Sequence, residues 1–184
     1  NSKGIREERR LATEFALQIE PLSQPGTSYE YTNWNYIIAG HIIEETLDTT
    51  CEEALQNMIF EPLGMKMDIS DMFGTVATDT APWPHFSNEL LPCNPFLGPC
   101  DVTAVYGPAG TVSVPVAAMA RYLSWHVECH NGRDTRLLSQ QACQELHTPP
   151  RPDIEAYALG WECVYDFEWA EGPACAHFFL AAMG

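Results

Sequence analysis

The chain has 184 residues, of which 46% are hydrophobic and 11% aromatic, so we expect a folded domain with a core and exclude a disordered chain. Nine basic residues stand against 25 acidic ones, for a formal net charge of −16, which argues against nucleic acid or an anionic membrane surface as a partner. No apolar run reaches the ~20 residues that a membrane-inserted helix needs.

Hydrophobic spacing predicts two amphipathic helices early in the chain. They run over residues 3–18 and 34–47, and Pro21, Pro25 and Gly26 enforce a loop between them. The side chains expected on the buried faces are Ala12, Phe15, Ala16 and Ile19 in the first helix, and Ala39, Ile42, Ile43, Thr46 and Leu47 in the second.

The next segment begins with a capping-box pattern. Thr50 and Glu53 stand at the spacing that caps a helix start, and the helix is expected to end near Phe60, before Pro62–Gly64. Residues 70–108 are rich in Pro, Gly, Asp and Asn, which indicates a long irregular loop. Its aromatic side chains either line a substrate cleft or pin the loop to the domain, and we favour the second. They are Trp83, Phe86, Phe96 and Tyr106.

Two further helices are expected after this loop. Residues 115–130 form the first, with Pro115 in its opening turn, and Ser139 caps a shorter one that runs to His147. The buried face expected for residues 115–130 consists of Val116, Met119, Ala120, Leu123 and Val127.

The last part of the chain changes character. Tyr157–Tyr165 and Ala174–Ala182 predict two strands, joined by a turn at residues 171–173. Helices first and strands afterwards favour an α+β fold, with helices packed on an antiparallel sheet. Residues 1–150 are then a mainly helical part, and residues 151–184 contribute sheet strands to the same domain.

Cysteine and histidine spacing gives little support for a metal site. None of the seven cysteines forms a C-x-x-C pair. Cys93 and Cys100 flank a Pro/Gly-rich loop and could pair in an oxidising compartment, whereas buried free thiols are expected for most of the seven. His126 and His130 lie four apart, but Val127 stands where a zinc-protease motif has Glu. We therefore interpret both histidines as surface and helix-end residues and expect no metal.

Several short motifs follow one another in a specific order. A Pro-Gly loop leads to Tyr31-Thr32-Asn33, a helix follows at once, and Pro62-Leu63-Gly64-Met65 ends the next helix. Further along stand Pro108–Val112, Leu137–Ser139, Leu146–Pro149, Tyr157–Trp161 and Trp169–Pro173, and then His177. This order covers nearly the whole chain and resembles the serine β-lactamase and penicillin-binding-protein-like hydrolases, among them class C β-lactamases. The resemblance implies a β-lactamase/transpeptidase-like fold and acyl transfer through a serine ester.

The nucleophile of that family belongs to an S-x-x-K motif, whose lysine lies one helical turn beyond the serine and accepts its proton. No serine of this chain stands three residues before a lysine. The family carries the motif well upstream of its Tyr-x-Asn motif. We therefore expect it in a preceding segment and expect these residues to be inactive alone.

The resemblance assigns two roles at the Tyr-x-Asn motif. Tyr31 would be the general base or proton relay; because a phenol ionises near pH ~10, this role needs a neighbouring lysine ammonium. Asn33 would hold the acyl side of the substrate by hydrogen bonds. The alternative for Asn33 is a turn residue that caps the helix beginning at residue 34.

The third motif is less regular. His177 would replace the family's cation there and position a substrate carboxylate or pass a proton; the alternative is a half-buried strand histidine. The family has Gly two residues after that cation, where this chain has Phe179. Side chains two apart on a strand share a face, so this ring would enter the substrate cleft. The amide of Leu180 would still suit an oxyanion donor.

The function expected from the resemblance is hydrolysis of a small-molecule amide, ester or β-lactam through an acyl-enzyme, with no cofactor. Phe179 favours an alternative, a binding module of the same fold without catalysis, and a third possibility is an inactive fragment that exposes apolar helix faces and associates. A periplasmic or secreted location is compatible with the sequence, which does not decide compartment or oligomeric state.

Overall fold

The protein is described by a computed structural model over residues 2–65, 85–86, 91–92, 103–154, 157–164 and 174–176. The described residues form two compact units. Those up to residue 20 and from 32 to 120 belong to the first unit, and those in 21–31 and from 121 onward belong to the second.

Three helices open the first unit at the places that the sequence predicts. They are α1 (Ser2–Ala16), α2 (Trp34–Leu47) and α3 (Cys51–Leu55), and α3 continues as a π-helical turn over Gln56–Phe60. The predicted capping box is confirmed: the Thr50 hydroxyl accepts from the Glu53 N–H at 3.1 Å, and the Glu53 carboxylate accepts from the Thr50 N–H at 3.3 Å.

The predicted inner face of α2 is wrong. The helix buries Ile37, Gly40 and Glu44, whereas Ile42 is 59% exposed. Isoleucines lie on several sides of this helix, so periodicity alone does not select a face. Two contacts select the buried face. Glu44 pairs with the buried Arg9, and Pro108 packs so closely on Gly40 that a Cβ there would lie 2.3 Å from Pro108 Cγ.

The predicted stripe of α1 also differs from the structure. Phe15 and Ile19 are exposed, while Arg9 and Thr13 are buried on another side of the helix. Hydrophobic periodicity predicts that an arginine lies outside the core. Arg9 is buried because carboxylates from other helices pair with it there.

Short helical pieces complete the first unit before α5. Ala104–Tyr106 form a 3-10 turn, and Gly107–Gly110 form α4. Helix α5 then spans Val116–His130, and α6 spans Gln140–Leu146 with the predicted Ser139 cap. Within the described part of the chain, none of these helices is long and apolar enough to cross a membrane.

The buried face of α5 is also not the predicted one. Trp125, His126 and Cys129 are buried, whereas Val116 and Val127 are exposed. Both sets have helical spacing. Trp125, His126 and Cys129 face inward because the His126 ring contacts His147 and Trp161 and the Cys129 sulfur is bonded to Cys143 of α6.

The strands are short and antiparallel. His85–Phe86 (β1) pairs with Leu91–Pro92 (β2), and a second sheet has the order β3 (Tyr157–Ala158), β4 (Trp161–Val164), β5 (Ala174–Ala176). The described residues are therefore mostly helical.

The single strand predicted over residues 157–165 is instead a hairpin. Its two-residue turn, Leu159-Gly160, has φ angles of 43° and 98°, and positive φ at both positions is typical of the tight turn that joins twisted antiparallel strands. The predicted second strand begins at Ala174 as expected, and its residues beyond Ala176 lie outside the described residues.

Candidate functional site

Tyr31 ends the loop segment 21–31 in the second unit. Its side chain is 60% exposed. A phenol placed in this way can be reached by a small molecule from solvent, which a relay residue requires.

Asn33 stands at the N-cap of α2, with φ −72° and ψ −20°. It occupies the cap position, but its side chain makes no cap hydrogen bond. The Thr32 hydroxyl instead accepts from the Trp34 N–H at 3.2 Å. The alternative in which the Asn33 side chain caps the helix is therefore not what the structure has.

The loop before Tyr31 is tied to the segment before the β3–β4 hairpin. Arg151 donates to the carbonyl of Gly26, and its guanidinium also donates to both Asp153 carboxylate oxygens, at 3.0 and 2.8 Å. These bonds hold the pKa of Asp153 below its usual range. The Tyr29 ring lies 5.7 Å from that of Tyr157. The loop is thus anchored by two side-chain contacts near its middle and end.

The remaining predicted site residues, His177, Phe179 and Leu180, lie outside the described residues. Their roles remain predictions. Of the proposed site, the structure describes only Tyr31 and Asn33, which are neighbours along the chain.

A buried charge cluster in the first unit was not foreseen. Arg9 and Glu44 are both fully buried, with Arg9 Nη1 2.5 Å from Glu44 Oε1. Glu52 accepts from both terminal nitrogens of Arg9. The sequence signal for it is an arginine on the side of α1 away from the apolar stripe, followed by carboxylates on the next two helices.

The structure brings together three histidines of the second unit. His147, at the end of α6, contacts both His126 and His130 of α5. The interpretation of His126 as a surface residue is wrong, because its side chain is only 4% exposed. Its spacing of four from His130 was visible in the sequence; the approach of His147 was not.

The described part of the chain contains a disulfide and a free cysteine. Cys129 and Cys143 form a disulfide between α5 and α6, although free thiols were expected for most cysteines. Cys51 is a buried free thiol, as expected. Cys93 and Cys100, the pair suggested by the sequence, lie outside the described residues.

Cys51 is expected to be a poor nucleophile. Burial, followed by the charge of Glu52, raises the pKa of its thiol to about 11, so at pH 7.5 almost none is thiolate. Iodoacetamide should modify Cys51 in the folded chain at least ~100-fold more slowly than in the urea-unfolded chain, as followed by peptide mass spectrometry. Equal rates in both states would refute this assignment.

Donors for a metal ion are not grouped in the described part of the chain. No set of three or more His, Cys, Asp or Glu side chains there could hold one. A serine-ester reaction needs no such group.

Comparison with known proteins gives the family. The Beta-lactamase family model matches residues 3–167. Over 46 residues, the chain is 41% identical to a D-aminopeptidase of Gluconobacter oxydans (strain 621H); this stretch is 25% of the chain and 9% of that protein.

Two solved structures share the fold. A penicillin-binding protein homologue from Pyrococcus abyssi, described as octameric, has a TM-score of 0.52 and 24% identity over 76% of this chain and 30% of its own. A D-stereospecific amidohydrolase from Streptomyces sp. has a TM-score of 0.51 and 20% identity over 82% of this chain and 43% of its own.

This chain spans less than half the length of each of these relatives. The two structures show that it has part of a β-lactamase/transpeptidase-like fold. Together with the family match over most of its residues, this establishes that the chain belongs to the β-lactamase family.

Proposed function

We propose that this chain is part of a serine hydrolase that cleaves an amide, ester or β-lactam through an acyl-enzyme. The observation that carries the proposal is Tyr31-Thr32-Asn33 placed directly before α2, within the residues that match the family. The exposure of Tyr31 and the two anchors of its loop support a residue that is both accessible and held in position.

The proposed reaction assigns one task to each group. A serine of an S-x-x-K motif, which this chain does not contain, attacks the carbonyl carbon. Tyr31 passes the proton between that serine and the leaving group, and Asn33 holds the acyl side of the substrate. His177 orients the far end of the substrate, and the Leu180 amide stabilises the oxyanion.

An amide of a D-amino acid is the substrate class we propose first. Two relatives are named for D-specific amide hydrolysis, a D-aminopeptidase and a D-stereospecific amidohydrolase. Phe179 replaces the family's glycine and would narrow the cleft, which favours a small substrate over an extended peptide.

We further propose that residues 1–150 and 151–184 belong to one α+β catalytic domain that includes more protein than this chain. The apolar side chains exposed on and after α1 support this, because a closed domain covers most of such surface. They are Leu11, Phe15, Leu17, Ile19 and Leu22.

The test uses p-nitroanilides of D-amino acids, p-nitrophenyl esters and a chromogenic β-lactam. The 184-residue chain should give no burst and no turnover. A longer form with an S-x-x-K motif should turn over at least one of these substrates, and Tyr31→Phe should lower kcat at least ~100-fold. Tyr29→Phe, a matched change on the same loop, should leave kcat within a few fold.

Two results would refute the proposal: a burst from the chain alone that Tyr31→Phe abolishes, or full activity of Tyr31→Phe in the longer form. A non-catalytic binding module is the second candidate, and Phe179 favours it. That candidate predicts saturable binding of the same amides, measured by calorimetry, with no turnover by the longer form.

A further inference from the structure

The three histidines of the second unit form a hydrogen-bonded chain with His147 in the middle. His126 Nδ1 lies 3.1 Å from His147 Nε2, and His130 Nδ1 lies 3.2 Å from His147 Nδ1. Both ring nitrogens of His147 are therefore used. The chain connects α5, which carries two of the histidines, to the end of α6.

We propose that this histidine chain is a pH-sensitive contact between α5 and the end of α6. It accepts one proton with its hydrogen bonds intact, and the contact breaks when it takes up a second. The proposal is independent of the proposed hydrolase function.

Counting hydrogens shows that the three histidines can take up only one extra proton while both nitrogen–nitrogen contacts stay intact. Each nitrogen–nitrogen contact needs one hydrogen, donated by one ring and accepted by the other. With all rings neutral, His147 donates in one contact and accepts in the other. One added proton on His130 or His147 still leaves each contact with a single hydrogen. A second added proton, wherever it binds, sets two N–H groups against each other in at least one contact.

The first proton has a favourable place and the second does not. His130 is the last residue of α5, where the carbonyl end of a helix attracts positive charge. Once His130 is charged, like-charge repulsion discourages a charge on His147. Burial, followed by the charge of His130, holds the pKa of His147 below its usual value.

Aromatic rings surround His126 and also contact His147, two of the three histidines. The His126 ring centroid lies 4.5 Å from that of Tyr122, 4.7 Å from that of Trp125 and 4.8 Å from that of Trp161. His147 lies 4.6 Å from the Trp161 ring. Because few water molecules can solvate an imidazolium there, a second charge costs more than on the surface.

Several other ionisable groups lie on the same elements, and Arg121 of α5 is one of them. Glu128 is paired with Arg133, which lowers the pKa of Glu128, and Glu145 accepts from Gln141. Burial raises the pKa of Tyr122, so its phenol stays neutral at acidic pH. On the strands, Tyr157 of β3 packs on Tyr29, and Glu162 follows Trp161 in β4.

The sign of the pH effect follows from the lowered pKa of His147. In the unfolded chain this histidine takes up its proton near pH ~6.5, whereas the folded state resists doing so. The stability that neutral His147 contributes is therefore fully present above pH ~6.5. It is lost as the pH falls from ~6.5 towards the lower pKa that His147 has in the folded state. Acid should open the contact of α6 with α5 and with Trp161 while the disulfide still links the helices.

The experiment compares the oxidised chain with His147→Gln at pH 7.5 and pH 5.0. The proposal expects the unfolding equilibrium constant of the unmodified chain to rise several-fold more on acidification than that of His147→Gln, because the folded state resists protonation of His147. His41→Gln, a matched change in α2 of the first unit, controls for the removal of a histidine outside this cluster. Equal pH dependences of the unmodified chain and His147→Gln overturn the proposal.

A second measurement needs no variant. NMR titration of the imidazole Cε1 protons should show His147 titrating below the usual histidine range, with a simultaneous rise in amide exchange over α6. Independent titration of all three rings near pH ~6.5, without change in α6, overturns the proposal even if His147→Gln does not fold.

Discussion

Arg9→Ala is expected to lower the free energy of unfolding by about 3–5 kcal/mol, the largest effect among single changes proposed for this chain. The side chain is fully buried and donates to Glu44 and Glu52. Its removal leaves the fully buried Glu44 carboxylate and the mostly buried Glu52 carboxylate without their counter-charge. Among the residues that the structure describes, Glu44 Oε2 has no hydrogen-bond partner, so no other group there replaces Arg9.

The cluster also holds the backbone together. Arg9 Nη2 donates to the Ala104 carbonyl at 2.8 Å and Nε donates to that of Val105 at 3.3 Å, while Glu44 Oε1 accepts from the Cys51 N–H at 3.2 Å. A Cβ at Gly107 would lie 2.8 Å from Arg9 Nη2, so the guanidinium is closely packed. Arg9→Ala therefore also removes the hydrogen bonds that Arg9 donates to three chain segments: α2, α3 and the turn at Ala104–Tyr106.

Arg10→Ala is the matched control on the same helix. Its guanidinium is partly exposed and pairs with Glu7 and Glu14, and such surface pairs contribute less than ~1 kcal/mol. Arg9→Lys keeps the charge but loses the planar two-nitrogen geometry, so it should fall between the two. Urea unfolding measures all three. An Arg9→Ala loss no larger than that of Arg10→Ala would show that the cluster is not a buried charge network.

Removal of the Cys129–Cys143 disulfide is expected to lower the free energy of unfolding by about 3 kcal/mol. The two cysteines are 14 residues apart and both are fully buried. A link of this span removes conformational freedom from the unfolded chain, and both sulfurs lie in the core between α5 and α6. The double variant Cys129→Ala/Cys143→Ala separates this link from other cysteines, which a reductant would not.

Urea unfolding of the oxidised chain and of the double variant gives the difference. A non-reducing digest should contain the two cysteine peptides joined, and mass spectrometry detects this species directly. Unchanged stability of the double variant, or the two peptides recovered separately from the oxidised chain, would rule out the stabilising link.

Local sequence signals determined the helices and their ends. The helix starts at Thr50 and Ser139 follow from hydroxyl and carboxylate caps that act within a few residues. The spans of α1, α2 and α5 follow from apolar spacing and from proline and glycine at their borders. The family was also recognisable in the sequence, because the order of its motifs along the chain is a property of the sequence and the match over residues 3–167 agrees with it.

Only the tertiary structure decided which face each helix buries. Arg9 and His126 are polar, so their burial depends on partners that lie far along the chain, Glu44 and Glu52 for one and His147 for the other. The Cys129–Cys143 link depends on the same long-range geometry. Periodicity reports the average polarity of a helix face; a buried charge, a histidine chain and a disulfide are stable only when their distant partners meet them.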